Sequence, residues 1–240
     1  MTDEPYRWLE AVANRREYIR DQLKDATPAF AVSRPEGVLL MGVGVGQSKV
    51  FEIYDRLALA ALGHSVDIER VRQTAIEAAH LEGFTRDPAD VTLRRLLNFS
   101  LCPALKSSFE QVFAAPFLVE LLMVELGSDR SSDVMARVNY DGSVRYLTGQ
   151  VAVAHPSSTT ESAATEWLQG QLTDDLGLKD VVSRLITAWR AMPPGKPFVT
   201  PPTDGPKDGS IPKPGLELAL LDRRSSSRAR YRILNPNDLA

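Results

Sequence analysis

From Phe117 to Leu126 nearly every position is apolar, the pattern of a β-strand covered on both faces. Such a strand lies inside a stack of layers, and the rest of the chain supplies candidates for them. Phe30–Val32 and Gly37–Met41 read as short β segments about the turn Ser33-Arg34-Pro35-Glu36, and Val50 to Leu62 reads as a hairpin broken at Tyr54-Asp55-Arg56, its second half also fitting a helix on pattern alone. Val134–Val138 and Val144–Tyr146 flank the hairpin signal Asp141-Gly142, and Val151–Val153 follows. Two more strands are expected at Leu216–Leu221 and Tyr231–Leu234. Between these blocks lie pairs of helical patterns: Val66–Leu81 with a second helix opening at Asp87-Pro88 and running through Leu105, then Thr159–Leu172 with Leu178–Met192. Paired helices alternating with antiparallel strands predict an α+β fold, a four-layer αββα sandwich. An additional amphipathic helix is expected ahead of it, from Pro5 to Leu23, with Trp8, Leu9, Val12, Ile19 and Leu23 as its larger apolar residues and Pro28 closing it.

Apolar residues make up 43% of the 240 positions and charged residues 25%, enough for a sizeable core. Basic and acidic groups nearly cancel, 28 against 31, so no long-range field favours nucleic acid or an anionic membrane. Cys102 is the sole cysteine, which rules out an internal disulfide and removes thiolate-rich zinc sites. No apolar signal core opens the chain and no window reaches the ~18 apolar residues of a membrane span, so a cytoplasmic protein is expected. Eight prolines and three glycines between Pro193 and Pro214 predict a flexible loop.

Gly42-Val-Gly-Val-Gly46-Gln-Ser-Lys49 has the look of a phosphate loop but lacks the Gly-Lys-Ser/Thr succession and the helix that must follow. It reads as a flexible connection between strands. His64, His80 and His155 stand at no metal-ligand spacing and read as helix-end or surface residues, so neither a metal nor a cofactor is expected. Ser157-Ser158-Thr159-Thr160 reads as a turn and helix cap rather than a nucleophile.

Read together, Gly37-Val-Leu-Leu, Lys49-Val-Phe-Glu-Ile-Tyr-Asp-Arg, Ala60-Ala-Leu-Gly63, Asp90-Val-Thr92 and Tyr140-Asp-Gly-Ser143 resemble, in order and spacing, the α-type subunits of proteasomes, particularly those of actinobacteria. Thr27, ten positions ahead of Gly37, then takes the place of the nucleophile in the catalytic β-type relatives of this N-terminal-nucleophile hydrolase superfamily, and Lys49 that of its lysine. Catalysis there needs the threonine's own free amine as base, whereas Thr27 is preceded by a helix. The acidic position is filled by Val43 or a neighbouring glycine, and a valine can neither accept a hydrogen bond nor balance the lysine's charge.

The resemblance therefore implies a non-catalytic subunit. It divides the chain into an N-terminal gate segment and helix, residues 1–26, and one sandwich domain, residues 27–240. It implies a homo-heptameric ring on a core of β-type subunits, gating unfolded proteins in transit and docking a ring-shaped ATPase activator. Lys49 and Gly63 would form the pocket for the activator's C-terminal tail. The alternatives are a threonine peptidase using Thr27 and Lys49 after loss of the first 26 residues, and a ring-forming homolog with no proteolytic role. Two departures from the family stand out: Glu4-Pro5-Tyr6-Arg7 replaces the Tyr-Asp-Arg of archaeal and eukaryotic relatives, and Ala154-His155-Pro156-Ser157 replaces a Gly-Gly turn.

Overall fold

A computed structural model describes residues 4–44, 46–202 and 215–236. Helix α1 (Glu4–Leu23) leads into strands β1 (Ala29–Arg34), β2 (Gly37–Val43), β3 (Val50–Tyr54) and β4 (Leu57–Gly63). Helices α2 (Ser65–Thr85), α3 (Leu93–Leu96) and α4 (Cys102–Glu110) follow, then β5 (Val119–Glu125), β6 (Val134–Val138), β7 (Val144–Leu147) and β8 (Val151–Ala154). Helices α5 (Ser158–Gln171) and α6 (Leu178–Arg190) precede the closing strands β9 (Leu216–Asp222) and β10 (Tyr231–Leu234). The strands form two five-stranded sheets, ordered β10-β9-β2-β1-β8 and β3-β4-β5-β6-β7, and every pairing is antiparallel.

Period-two alternation distributes each apolar strand between two cores. On β5, Leu122 and Val124 face the other sheet, while Val119, Leu121 and Met123 face the layer of α2–α4. On β2, Val38 and Leu40 join the same central core, and Leu39 and Met41 meet α5 and α6 on the far side. Four layers result, as the continuous apolar run at 117–126 requires.

Helix α1 lies outside the layers and plugs one end of the central core with Ile19 and Leu23. Arg15 latches it in place, donating to the carbonyl of Ser108 (3.0 Å) in the last turn of α4 and to those of Val112 (3.3 Å) and Ala114 (2.8 Å) just beyond it.

The second helix of the first pair departs from expectation. Asp87 and Pro88 open only a 3-10 turn, Pro88–Asp90, and the helix proper starts at Leu93 behind the cap Thr92. A buried carboxylate decides this start, since Glu125 Oε2 on β5 accepts the Leu93 amide at 2.8 Å. Between α3 and α4 the backbone forms a π turn, Leu97–Leu101. Pro103 sits in the first turn of α4 and has no N–H to donate backwards, so the ladder shifts by one residue there. Residues 193–202 carry no regular structure, whereas the rest of the proline-rich stretch, 203–214, and the first three residues of the expected gate segment lie outside the described residues.

The histidine reading needs one correction. His64 caps α2 and His80 lies exposed against Tyr54 (ring centroids 5.1 Å apart), but His155 is buried at the end of β8. Its Nδ1 accepts the Ser157 amide at 3.0 Å within the substituted turn, and burial pushes its pKa down. Ser157 does cap α5, with Oγ accepting from Thr160 N.

Candidate functional site

A cleft of about 650 Å³ opens beside the C-terminal end of α1, lined among others by Asp25, Thr27, Lys49, Gly63, His64 and Leu118. The hairpin β3–β4 brings its two expected residues together. Lys49 O accepts the Ala61 amide at 2.8 Å, so the lysine stands beside the last residues of β4, two positions short of Gly63. Gly63 has φ +123°, and a Cβ there would fall 2.1 Å from Leu118 O. Only glycine lets β4 close onto the start of β5 at this point. The same Leu118 carbonyl then accepts the His64 amide at 2.8 Å, fixing the first turn of α2 along the rim.

Thr27, between α1 and β1, is the immediate partner of the lysine. Lys49 Nζ donates to Thr27 Oγ1 at 2.6 Å, and that hydroxyl donates its own proton to Val43 O, also at 2.6 Å. The expectation that position 43 accepts nothing is thus corrected: the side chain cannot, but the main-chain carbonyl does. The consequence for chemistry is unchanged. A hydroxyl whose proton is committed to a carbonyl, behind a helix that occupies its amino side, has no base to activate it.

The lysine ammonium forms no ion pair among the described residues, and burial lowers its pKa from the ordinary 10.5. The opposing influence comes from a residue not anticipated above, Glu217 on β9, whose charge raises it. Glu217 Oε2 accepts the amides of Lys49 (2.7 Å) and Val50 (3.1 Å). A carboxylate from the C-terminal strand thus lies near enough to favour the ammonium, but its oxygen is engaged by the two amides and it forms no ion pair with Nζ. The available signal was a lone glutamate in the apolar run Leu216–Leu221, but only the β2–β9 pairing reveals what it faces.

No protein-family model matches the chain. Whole-length relatives do. The proteasome subunit alpha of Renibacterium salmoninarum is 30% identical, over 96% of this chain and 90% of its own length. That of Sanguibacter keddieii is 33% identical over 88% of the chain and 74% of the relative, and that of Streptomyces griseus 29% identical over 96% and 80%. The chain belongs to the proteasome α-subunit family. It is accordingly a non-catalytic α-type subunit, one that assembles in a ring with β-type subunits in a proteasome core particle. Proteolysis resides in the β-type chains, which agrees with the engaged hydroxyl of Thr27. No described helix of this α-type subunit is long and apolar enough to cross a membrane.

Proposed function

We propose that this α-type subunit forms the homo-heptameric outer ring of its core particle, controls the passage of unfolded proteins, and docks a ring-shaped ATPase through the Lys49–Gly63 cleft. The observation that carries the reading is a half-buried ammonium whose partner is a neutral hydroxyl, in an open cleft large enough for the end of a peptide. Such a group is short of an anion. A tail carboxylate entering the cleft replaces Thr27 as the principal partner of Lys49, and partial desolvation strengthens the resulting charge-assisted bond. Backbone around Gly63 can then approach the tail closely because no side chain intervenes. Helix α1, latched by Arg15 across the end of the sandwich, is the platform that carries the gate.

The test is Lys49→Ala in core particles assembled with the β-type chain. A charge-assisted hydrogen bond contributes ~2 kcal/mol, so tail affinity should fall roughly 30-fold while the rings stay intact. Unchanged affinity for a peptide with a free C-terminal carboxylate would refute the docking assignment.

A further inference from the structure

The C-terminal hairpin β9–β10 grips the peptide unit that presents Lys49. Glu217 takes both amides, of Lys49 and Val50, and Tyr231 Oη donates to Val50 O at 3.2 Å. Just upstream, Gly215 O accepts the Gly44 amide at 2.9 Å, tying the beginning of β9 to the loop that leads to the lysine. Glu217 therefore acts on Lys49 in two separable ways. Its oxygen geometry holds the main chain, and its charge favours the ammonium over the neutral amine.

We infer that Glu217 is the positioning residue of the docking lysine, setting both where the ammonium stands and the pH range over which it can receive a carboxylate. The inference rests on the docking role proposed for Lys49. Other charged or titratable groups near the site are Asp25 after α1, His64 at the head of α2, and Glu52 and Tyr231 on the flanking strands. Tyr231 itself is pushed up to about 12, by burial first and then by Glu217 and Glu52, so it remains a neutral donor throughout the working range. A His64→Gln background removes the imidazole from the cleft lining, so that the pH dependence is read from Lys49.

The physical sign is definite. Burial already lowers the lysine's pKa, and the carboxylate counteracts that fall. Glu217→Gln keeps an oxygen to accept the two amides but deletes the charge, so Lys49 loses its proton at a lower pH. Where the lysine is still an ammonium, the same change removes a like charge from the neighbourhood of an incoming carboxylate and leaves binding intact or tighter. Glu217→Ala removes the hydrogen bonds as well and releases the main chain, which weakens binding at every pH.

The experiment uses core particles in the His64→Gln background and two readouts. Trace acetylation of Lys49 across pH, quantified by mass spectrometry, reports the midpoint at which the amine becomes reactive. Titration with a fluorescent peptide ending in a free carboxylate, set against its C-terminal amide, reports docking. For Glu217→Gln the acetylation midpoint should move down and the loss of carboxylate-specific binding should move with it. A displacement of one pH unit amounts to roughly tenfold weaker binding above the midpoint. Glu217→Ala should lose binding throughout. If Lys49→Ala binds the carboxylate peptide normally, the docking reading fails and this inference with it. If Lys49→Ala loses binding but both Glu217 variants keep the midpoint and affinity of the parent, docking stands and the role given to Glu217 is wrong.

Discussion

Arg137 offers the most demanding test of how this sandwich is held. It is 4% exposed on β6 and joins three elements: Glu120 on β5, Glu161 on α5 and the carbonyl of His155 (3.2 Å) beyond β8. Glu161 has a second cation in Arg145, but Glu120 has no other ion pair among the described residues. Replacing Arg137 by Met keeps much of the volume and strands Glu120. Removing one partner of a buried pair costs about 3–5 kcal/mol. The lower figure applies, because Arg137 Nη1 is itself buried without a partner and its loss returns part of the cost. With a urea slope of ~3 kcal/mol/M for a domain of this size, the midpoint should fall by roughly 1 M.

The pH dependence supplies the sharper discrimination. Burial holds the Glu120 carboxyl above its ordinary value, and the Arg137 charge opposes that rise. A folded-state pKa above the unfolded one means that the folded protein binds the proton more tightly, so stability is gained as pH falls and lost as it rises through the folded value. Without Arg137 the carboxyl moves further up. The deficit of Arg137→Met should accordingly be largest near neutrality and shrink on acidification towards the ordinary carboxylate range. Urea unfolding at about pH 7.5 and about pH 5.5, at fixed protein concentration, measures both. A deficit of the same size at the two pH values, or one below ~1 kcal/mol at the higher, would refute the reasoning. Adding Glu120→Leu should recover most of the loss, since neither charge is then stranded.

Gly63→Ala places a Cβ 2.1 Å from Leu118 O in a backbone conformation that L side chains rarely adopt. Strain and the forced separation of β4 from β5 together cost about 3 kcal/mol, a fall of roughly 10 °C in Tm by calorimetry, with loss of tail binding alongside. Arg15→Ala removes three hydrogen bonds to carbonyls and should cost about 2–3 kcal/mol. Hydrogen exchange should then quicken in α1 and in residues 111–116, with ring assembly impaired, whereas Arg16→Ala, an exposed neighbour, should leave exchange unchanged.

The layers were legible because their signals are local. Alternation on β2 and the turn at Asp141-Gly142 involve residues within a few positions of one another, and Gly142 indeed takes φ +77°. The family was legible from short motifs in a recognisable order, and with them the candidates Thr27, Lys49 and Gly63. What the linear pattern left open was decided by partners distant along the chain. Glu125, 32 residues downstream, settles where α3 starts. Arg15 finds its carbonyls 93 to 99 residues away. Glu217, 168 residues from Lys49, takes the amide of the residue that presents the ammonium. Propensity and periodicity specify which faces must be buried, but a buried polar group is satisfied by whatever the folded sheets and helices bring within hydrogen-bond reach, and that proximity exists only in three dimensions.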